Sequence, residues 1–117
     1  MSVKLEDMSS LAQLEDSLAK SDKKKQLIFK HSNTCPISTA AFNELNSYLK
    51  KSPDEDVDYW LIVVQNARNV SNEVAAKLGI KHESPQAILV HNKKAIWNKS
   101  HYDITQKSLK EAVAKEA

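Results

Sequence analysis

The chain predicts an α/β fold in three layers, with helices on both faces of a central mixed sheet of four to five strands. Three features predict it. Short runs rich in β-branched and aromatic residues alternate with longer stretches whose apolar residues recur every three or four positions. The last two strand-like runs flank Asn92-Lys93, a two-residue turn, and so form a hairpin. The single glycine and the three prolines of the 117 residues all fall between periodic segments or at the start of one. The resulting order, β-α-β-α-β-α-β-β-α, combines parallel crossovers with an antiparallel return.

Val3 to Leu5 reads as a short edge strand. Ser9-Ser10 caps a helix running to about Lys20, with Leu11, Leu14 and Leu18 on one face. Gln26 to His31 is a central strand carrying Ile28 and Phe29. A second helix runs from Pro36 to about Lys50, with Ile37, Ala41, Leu45 and either Tyr48 or Leu49 inward. Proline suits its first position, where the missing N–H would have had no partner. Ser52-Pro53-Asp54 ends that helix. Val57 to Val64 is a buried parallel strand. Ser71 to Leu78 is a third helix, burying Val74, Ala75 and Leu78, with Gly79 as its left-handed cap. Gln86 to His91 and Ala95 to Lys99 are the hairpin strands. Thr105 caps a last helix to about Ala114, with Leu109 and Val113 inward.

At this length residues 1–117 are expected to form one domain. Hydrophobic residues make up 41% and charged residues 27%, a globular balance, and the net charge of +2 argues against nucleic acid as a partner. Lys23-Lys24-Lys25 reads as a solvated loop before a strand. No stretch is apolar enough to span a membrane and the N-terminus shows no signal-peptide core, so the expected location is the cytoplasm. Asn69-Val70-Ser71 and Asn98-Lys99-Ser100 are then chance matches to the glycosylation pattern.

The chain has one cysteine. Cys35 lies in Thr34-Cys35-Pro36-Ile37-Ser38, between a central strand and a helix. That puts its sulfur at a helix N-terminus, where unpaired N–H groups and the helix dipole favour the thiolate, the nucleophilic form. The N–H groups of Ile37 and Ser38 and the Ser38 hydroxyl are the expected stabilising donors, with Pro36 starting the helix. A lone cysteine is commonly a core residue; here Asn33, Thr34 and Ser38 point to an exposed turn. Ser38 occupies the place where a dithiol enzyme carries its second sulfur. A mixed disulfide on Cys35 must therefore wait for an outside thiolate. His31-x-x-x-Cys35 lacks the further ligands a metal needs, so no metal is expected. His101, after the hairpin, reads first as a surface histidine; the alternative is that it stands near the site, where its charge would attract an anionic thiol. His82 and His91 read as solvent-facing, and Trp60 and Trp97 as core or sheet-face residues.

Thr34-Cys35-Pro36-Ile37-Ser38, Glu83-Ser84-Pro85-Gln86 and Ser100-His101-Tyr102-Asp103-Ile104-Thr105 together resemble the YtxJ-type monothiol bacilliredoxins of the thioredoxin superfamily. The resemblance covers nearly the whole chain. It implies a thioredoxin-like fold and thiol-disulfide exchange with bacillithiol as co-substrate. It also implies a cis Ser84–Pro85 bond facing Cys35, with the Ser84 N–H and C=O available to an extended client segment. On this likeness Cys35 is catalytic, and Thr34, Ser84, Pro85 and His101 are the substrate contacts. The implied partners are S-bacillithiolated proteins, the low-molecular-weight thiol and a partner reductase. The sequence departs from related families in three places. Ser32 stands where glutaredoxins usually carry a lysine, no Gly-Gly pair follows the hairpin, and Thr34 replaces the tryptophan of thioredoxins. The leading expectation is a monothiol oxidoreductase that removes bacillithiol from oxidised proteins in redox homeostasis. The alternatives are a glutaredoxin-like iron-sulfur carrier and a non-catalytic thioredoxin-like binding module.

Overall fold

A computed structural model of the chain describes residues 4–51 and 53–114. Val3, in the expected first strand, and Ser52, in the expected helix stop, lie outside the described residues. Five strands form one sheet: β1 (Leu5–Asp7), β2 (Lys25–His31), β3 (Val57–Val63), β4 (Gln86–His91) and β5 (Lys94–Ser100). Their spatial order is β1-β3-β2-β4-β5. β3 runs parallel to β1 and β2, whereas β4 runs antiparallel to β2 and to β5. The sheet is therefore mixed, as the element order requires. The helices are α1 (Leu11–Lys20), α2 (Pro36–Lys51), α3 (Arg68–Leu78) and α4 (Gln106–Val113), and a 3-10 turn occupies His101–Asp103.

Strand alternation sorts the core into two halves. Leu27 and Phe29 of β2 pack with Ala41, Leu45 and Tyr48 of α2 and with Leu109, Ala112 and Val113 of α4. Ile28, between them, packs on the other face with Leu14 and Leu18 of α1 and Val70 and Val74 of α3. Both faces of β2 are thus covered, which is why its residues 26–30 are all buried. Polar side chains on this strand need partners. Gln26 finds them at the amino end: its Oε1 accepts from Ser17 Oγ (2.9 Å) and Trp60 Nε1 (2.7 Å).

Several boundaries differ from the sequence reading for packing reasons. The first strand sits two residues later, where Leu5, Glu6 and Asp7 match the register of Tyr59 to Leu61. Leu11 is 45% exposed, so the inward face of α1 starts at Leu14. On α2, Ser38 rather than Ile37 opens the buried stripe that continues through Ala41, Leu45 and Tyr48. α3 begins at Arg68, three residues early, because Ala67 and Val70 join its buried face; Ser71, expected at the helix start, lies inside it and is buried. The caps at Ser10 and Thr105 form as read, each with a reciprocal side-chain bond three residues on. Asn92 and Lys93 both take positive φ (54° and 63°), the geometry of a tight hairpin turn. Among the described residues no helix is long and apolar enough to cross a membrane.

Gly79 caps α3 at φ 65°, ψ 33°, and its N–H bonds the Ala75 carbonyl. No atom lies within 4 Å of a Cβ built there, so substitution meets only the backbone penalty. Gly79→Ala is expected to cost about 1 kcal/mol of folding stability in urea denaturation, and Gly79→Asn less, since asparagine tolerates this region best.

Candidate active site

β2 ends at His31 and α2 begins at Pro36, so the four residues between them make the turn that carries the thiol. Cys35 is a free cysteine of intermediate exposure. It is the helix N-cap: its carbonyl accepts the first helical bond, from Thr39 N–H at 3.1 Å, and its own N–H donates to Ser32 O at 3.4 Å. The N–H groups of Ile37 and Ser38 belong to the first turn, which has no carbonyl one turn back to receive them. The sulfur thus stands at the positive end of a 16-residue helix.

Ser38 is fully buried. Its Oγ accepts from the Ser32 N–H (2.9 Å) and pairs with His31 Nδ1 (2.9 Å). Neither of these bonds goes to the sulfur, so the expected role of this hydroxyl is answered differently: it ties the end of β2 to the first turn of α2. His31 follows Leu27 and Phe29 on the α2 face of the strand, and its ring lies tilted against Phe42 with centroids 4.9 Å apart. Burial holds the His31 pKa below its ordinary 6.5, a hydrogen bond with Ser38 working the other way. Gln65, just past β3, braces the turn from the side. Its Nε2 donates to Ser32 Oγ (2.7 Å) and Thr34 Oγ1 (3.2 Å), and its Oε1 accepts from the Asn33 N–H (3.2 Å).

The other expected residues gather at the same end of the sheet. Lys30 pairs with Gln86 in antiparallel register, which sets Pro85 level with the last residue of β2. The Ser84–Pro85 peptide is cis. Among the described residues no backbone hydrogen bond engages Ser84, and its buried hydroxyl has no partner. The His101 N–H donates to the Pro85 carbonyl at 3.1 Å, and His101 Nδ1 lies 3.9 Å from Glu83 Oε1. A groove of about 270 Å³ runs between α2 and the 3-10 turn, lined by Ile37, Ala40, Ala41 and Ile104 with His101 and Tyr102. Tyr102 is 74% exposed. Among the described residues no group of three or more His, Cys, Asp or Glu side chains gathers as a metal site would require.

Residues 6–109 match the family described as monothiol bacilliredoxin BrxC. The chain belongs to that family. A solved structure described as a putative oxidoreductase with a thioredoxin fold is 37% identical, with a TM-score of 0.81 over 93% of each chain. Malassezia sympodialis thioredoxin superposes at a TM-score of 0.73 with 14% identity, over 95% of this chain and 89% of its own. Fasciola hepatica thioredoxin does so at 0.70 with 15% identity, over 93% and 96%. The fold of this bacilliredoxin-family chain is accordingly that of thioredoxin, and its chemistry belongs to thiol redox exchange.

Sequence reasoning missed His31 and Gln65 as parts of the site. For His31 the signal was present: Leu27, Phe29 and His31 share a strand face. For Gln65 there was none, because only the parallel pairing of β2 with β3 brings the two turns together. His82 is exposed, as read, and its Nδ1 also stands 3.1 Å from the buried Lys30 Nζ.

Two outcomes follow for the turn. Ser38→Ala removes the acceptor of the Ser32 N–H and is expected to cost about 1–3 kcal/mol in chemical denaturation. The lowered His31 pKa means the folded state resists protonation. Its contribution to stability is therefore intact above pH 6.5 and declines as pH falls from there toward the folded value. An NMR titration should place the His31 ring midpoint below 6.5, and His31→Gln should show a shallower loss of stability over that interval.

Proposed function

We propose that this protein is a cytoplasmic monothiol oxidoreductase that removes bacillithiol from S-bacillithiolated proteins through a mixed disulfide on Cys35. The carrying observation is that a part-exposed thiol stands at a helix N-terminus while the place of a resolving sulfur holds a buried serine. The family match supports the choice of small thiol.

The steps balance without any further redox centre. The Cys35 thiolate attacks the bacillithiol sulfur of the client's mixed disulfide. The Cys35–bacillithiol disulfide forms as the client–bacillithiol bond breaks, and the client leaves as a thiolate that takes its proton from water. No internal thiol can then attack, so the adduct persists until a second bacillithiol thiolate or a partner reductase arrives. With bacillithiol, the products are bacillithiol disulfide and free Cys35. Ser84 supports the client-binding part of this reading: among the described residues no backbone hydrogen bond takes its main-chain groups, just before β4, where an extended segment can pair with them. The groove beside Ile37 and His101, whose lining also includes Glu44 and Thr105, offers room for the small thiol.

Mixing reduced protein with an S-bacillithiolated client should add the mass of one bacillithiol to Cys35 as the client thiol appears. Cys35→Ala and Cys35→Ser should abolish transfer. Unchanged client and unmodified Cys35 in the wild-type reaction would overturn the proposal.

A further inference from the structure

Lys30 is the charged side chain that the thiol site does not use. It is the next-to-last residue of β2 and is fully buried. Alternation sends it to the α1/α3 face, opposite α2. An ammonium cannot be sealed there without partners. Two acceptors meet it: the Ser71 carbonyl of α3 at 3.0 Å and His82 Nδ1 at 3.1 Å. Ser71 Oγ lies 3.3 Å from the same ring nitrogen.

His82 belongs to the connection from Gly79 to Pro85, the segment that delivers Ser84–Pro85 to the start of β4. Other bonds hold that connection by its flanks. Gln86 Nε2 donates to the Lys81 carbonyl (3.0 Å), and Ser100 Oγ donates to Glu83 Oε2 (3.1 Å). Lys30 reaches it from the central strand through His82, and Lys30 is the register partner of Gln86, one residue after Pro85. The strand that leads into the Cys35 turn therefore also grips the segment that carries Ser84.

We propose that Lys30 is a positioning residue: its ammonium clasps His82 and α3 from beneath the sheet and so sets where the Ser84 main chain stands relative to Cys35. The substrate feature it governs is the polypeptide portion of a mixed disulfide, the part that pairs with a main chain. The inference rests on the reading of Cys35 and Ser84 given above. Protonation states agree with the geometry. Burial lowers Lys30 to about 8, which leaves it charged at neutral pH. Burial first, then the charges of Lys30 and Arg68, hold His82 below its ordinary value, with Glu83 opposing. A charged Lys30 can only donate, so the His82 Nδ1 that faces it accepts.

The test compares two substrates. One is a peptide of about ten residues whose single cysteine is in mixed disulfide with bacillithiol; the other is bacillithiol disulfide, which has no peptide main chain to align. Lys30→Met should raise KM for the peptide about five- to tenfold, the worth of one main-chain hydrogen bond, with kcat unchanged. The single-turnover rate at which bacillithiol disulfide loads Cys35, releasing one bacillithiol, should match wild type. His82→Leu should behave like Lys30→Met. His82→Asn, whose Oδ1 can stand where Nδ1 stood, should restore the peptide KM. Wild-type peptide KM in both Lys30→Met and His82→Leu would overturn the proposal, as would an equal loss on both substrates. If Lys30→Met fails to fold, the two variants of the exposed His82 decide. Wild-type protein inert toward both substrates would instead overturn the reading of Cys35, and the proposal with it.

Discussion

β2 hydrogen-bonds to β3 along one edge and to β4 along the other, and helices cover both of its faces. Such a strand cannot slip by one residue without exchanging its two faces. Its alternation therefore assigns every neighbour. Leu27, Phe29 and His31 look toward α2, while Ile28 and Lys30 look toward α1 and α3. The thiol turn starts where this strand stops, so its position is inherited from the most constrained segment of the sheet. Both parallel crossovers and the β4–β5 hairpin are built around that same axis.

The turn itself is held by satisfying polar groups rather than by apolar packing. Ser38 serves the Ser32 N–H and His31, and Gln65 serves Ser32, Asn33 and Thr34. A buried donor left without an acceptor costs more than an average hydrogen bond contributes, so this set resists partial opening. The consequence for chemistry is a sulfur fixed at a helix end with no second sulfur beside it. An acceptor in that position holds the end of β2 to the first turn of α2.

Much of the architecture could be read from residue pattern. The alternation of strand runs and amphipathic stretches, Gly79 as a cap, the Asn92-Lys93 turn and the Ser10 and Thr105 caps are local features, set by backbone geometry within a few residues. The errors came where packing overrode local preference. Ser71 looked like a helix start but lies inside α3, because burying Ala67 and Val70 outweighs placing a serine at the terminus. Leu11 matched the α1 stripe and yet faces solvent, since no neighbour covers the first turn of that helix fully. The 3-10 turn at His101–Asp103 had no signature, its form being set by the bond from His101 N–H to Pro85 across the sheet end.

The sequence by itself determined the fold class, the family, the lone thiol and the helix terminus on which it stands. Each depends on residues close in the chain, on periodicity, or on short motifs. Tertiary structure alone decided that Gln65 braces the thiol turn, that the Ser38 hydroxyl is spent on His31 and Ser32, and that Lys30 reaches His82. Those contacts join residues 6 to 52 positions apart. Strand pairing and face alternation bring them together, and neither the composition nor the spacing of a segment records which distant segment will lie beside it.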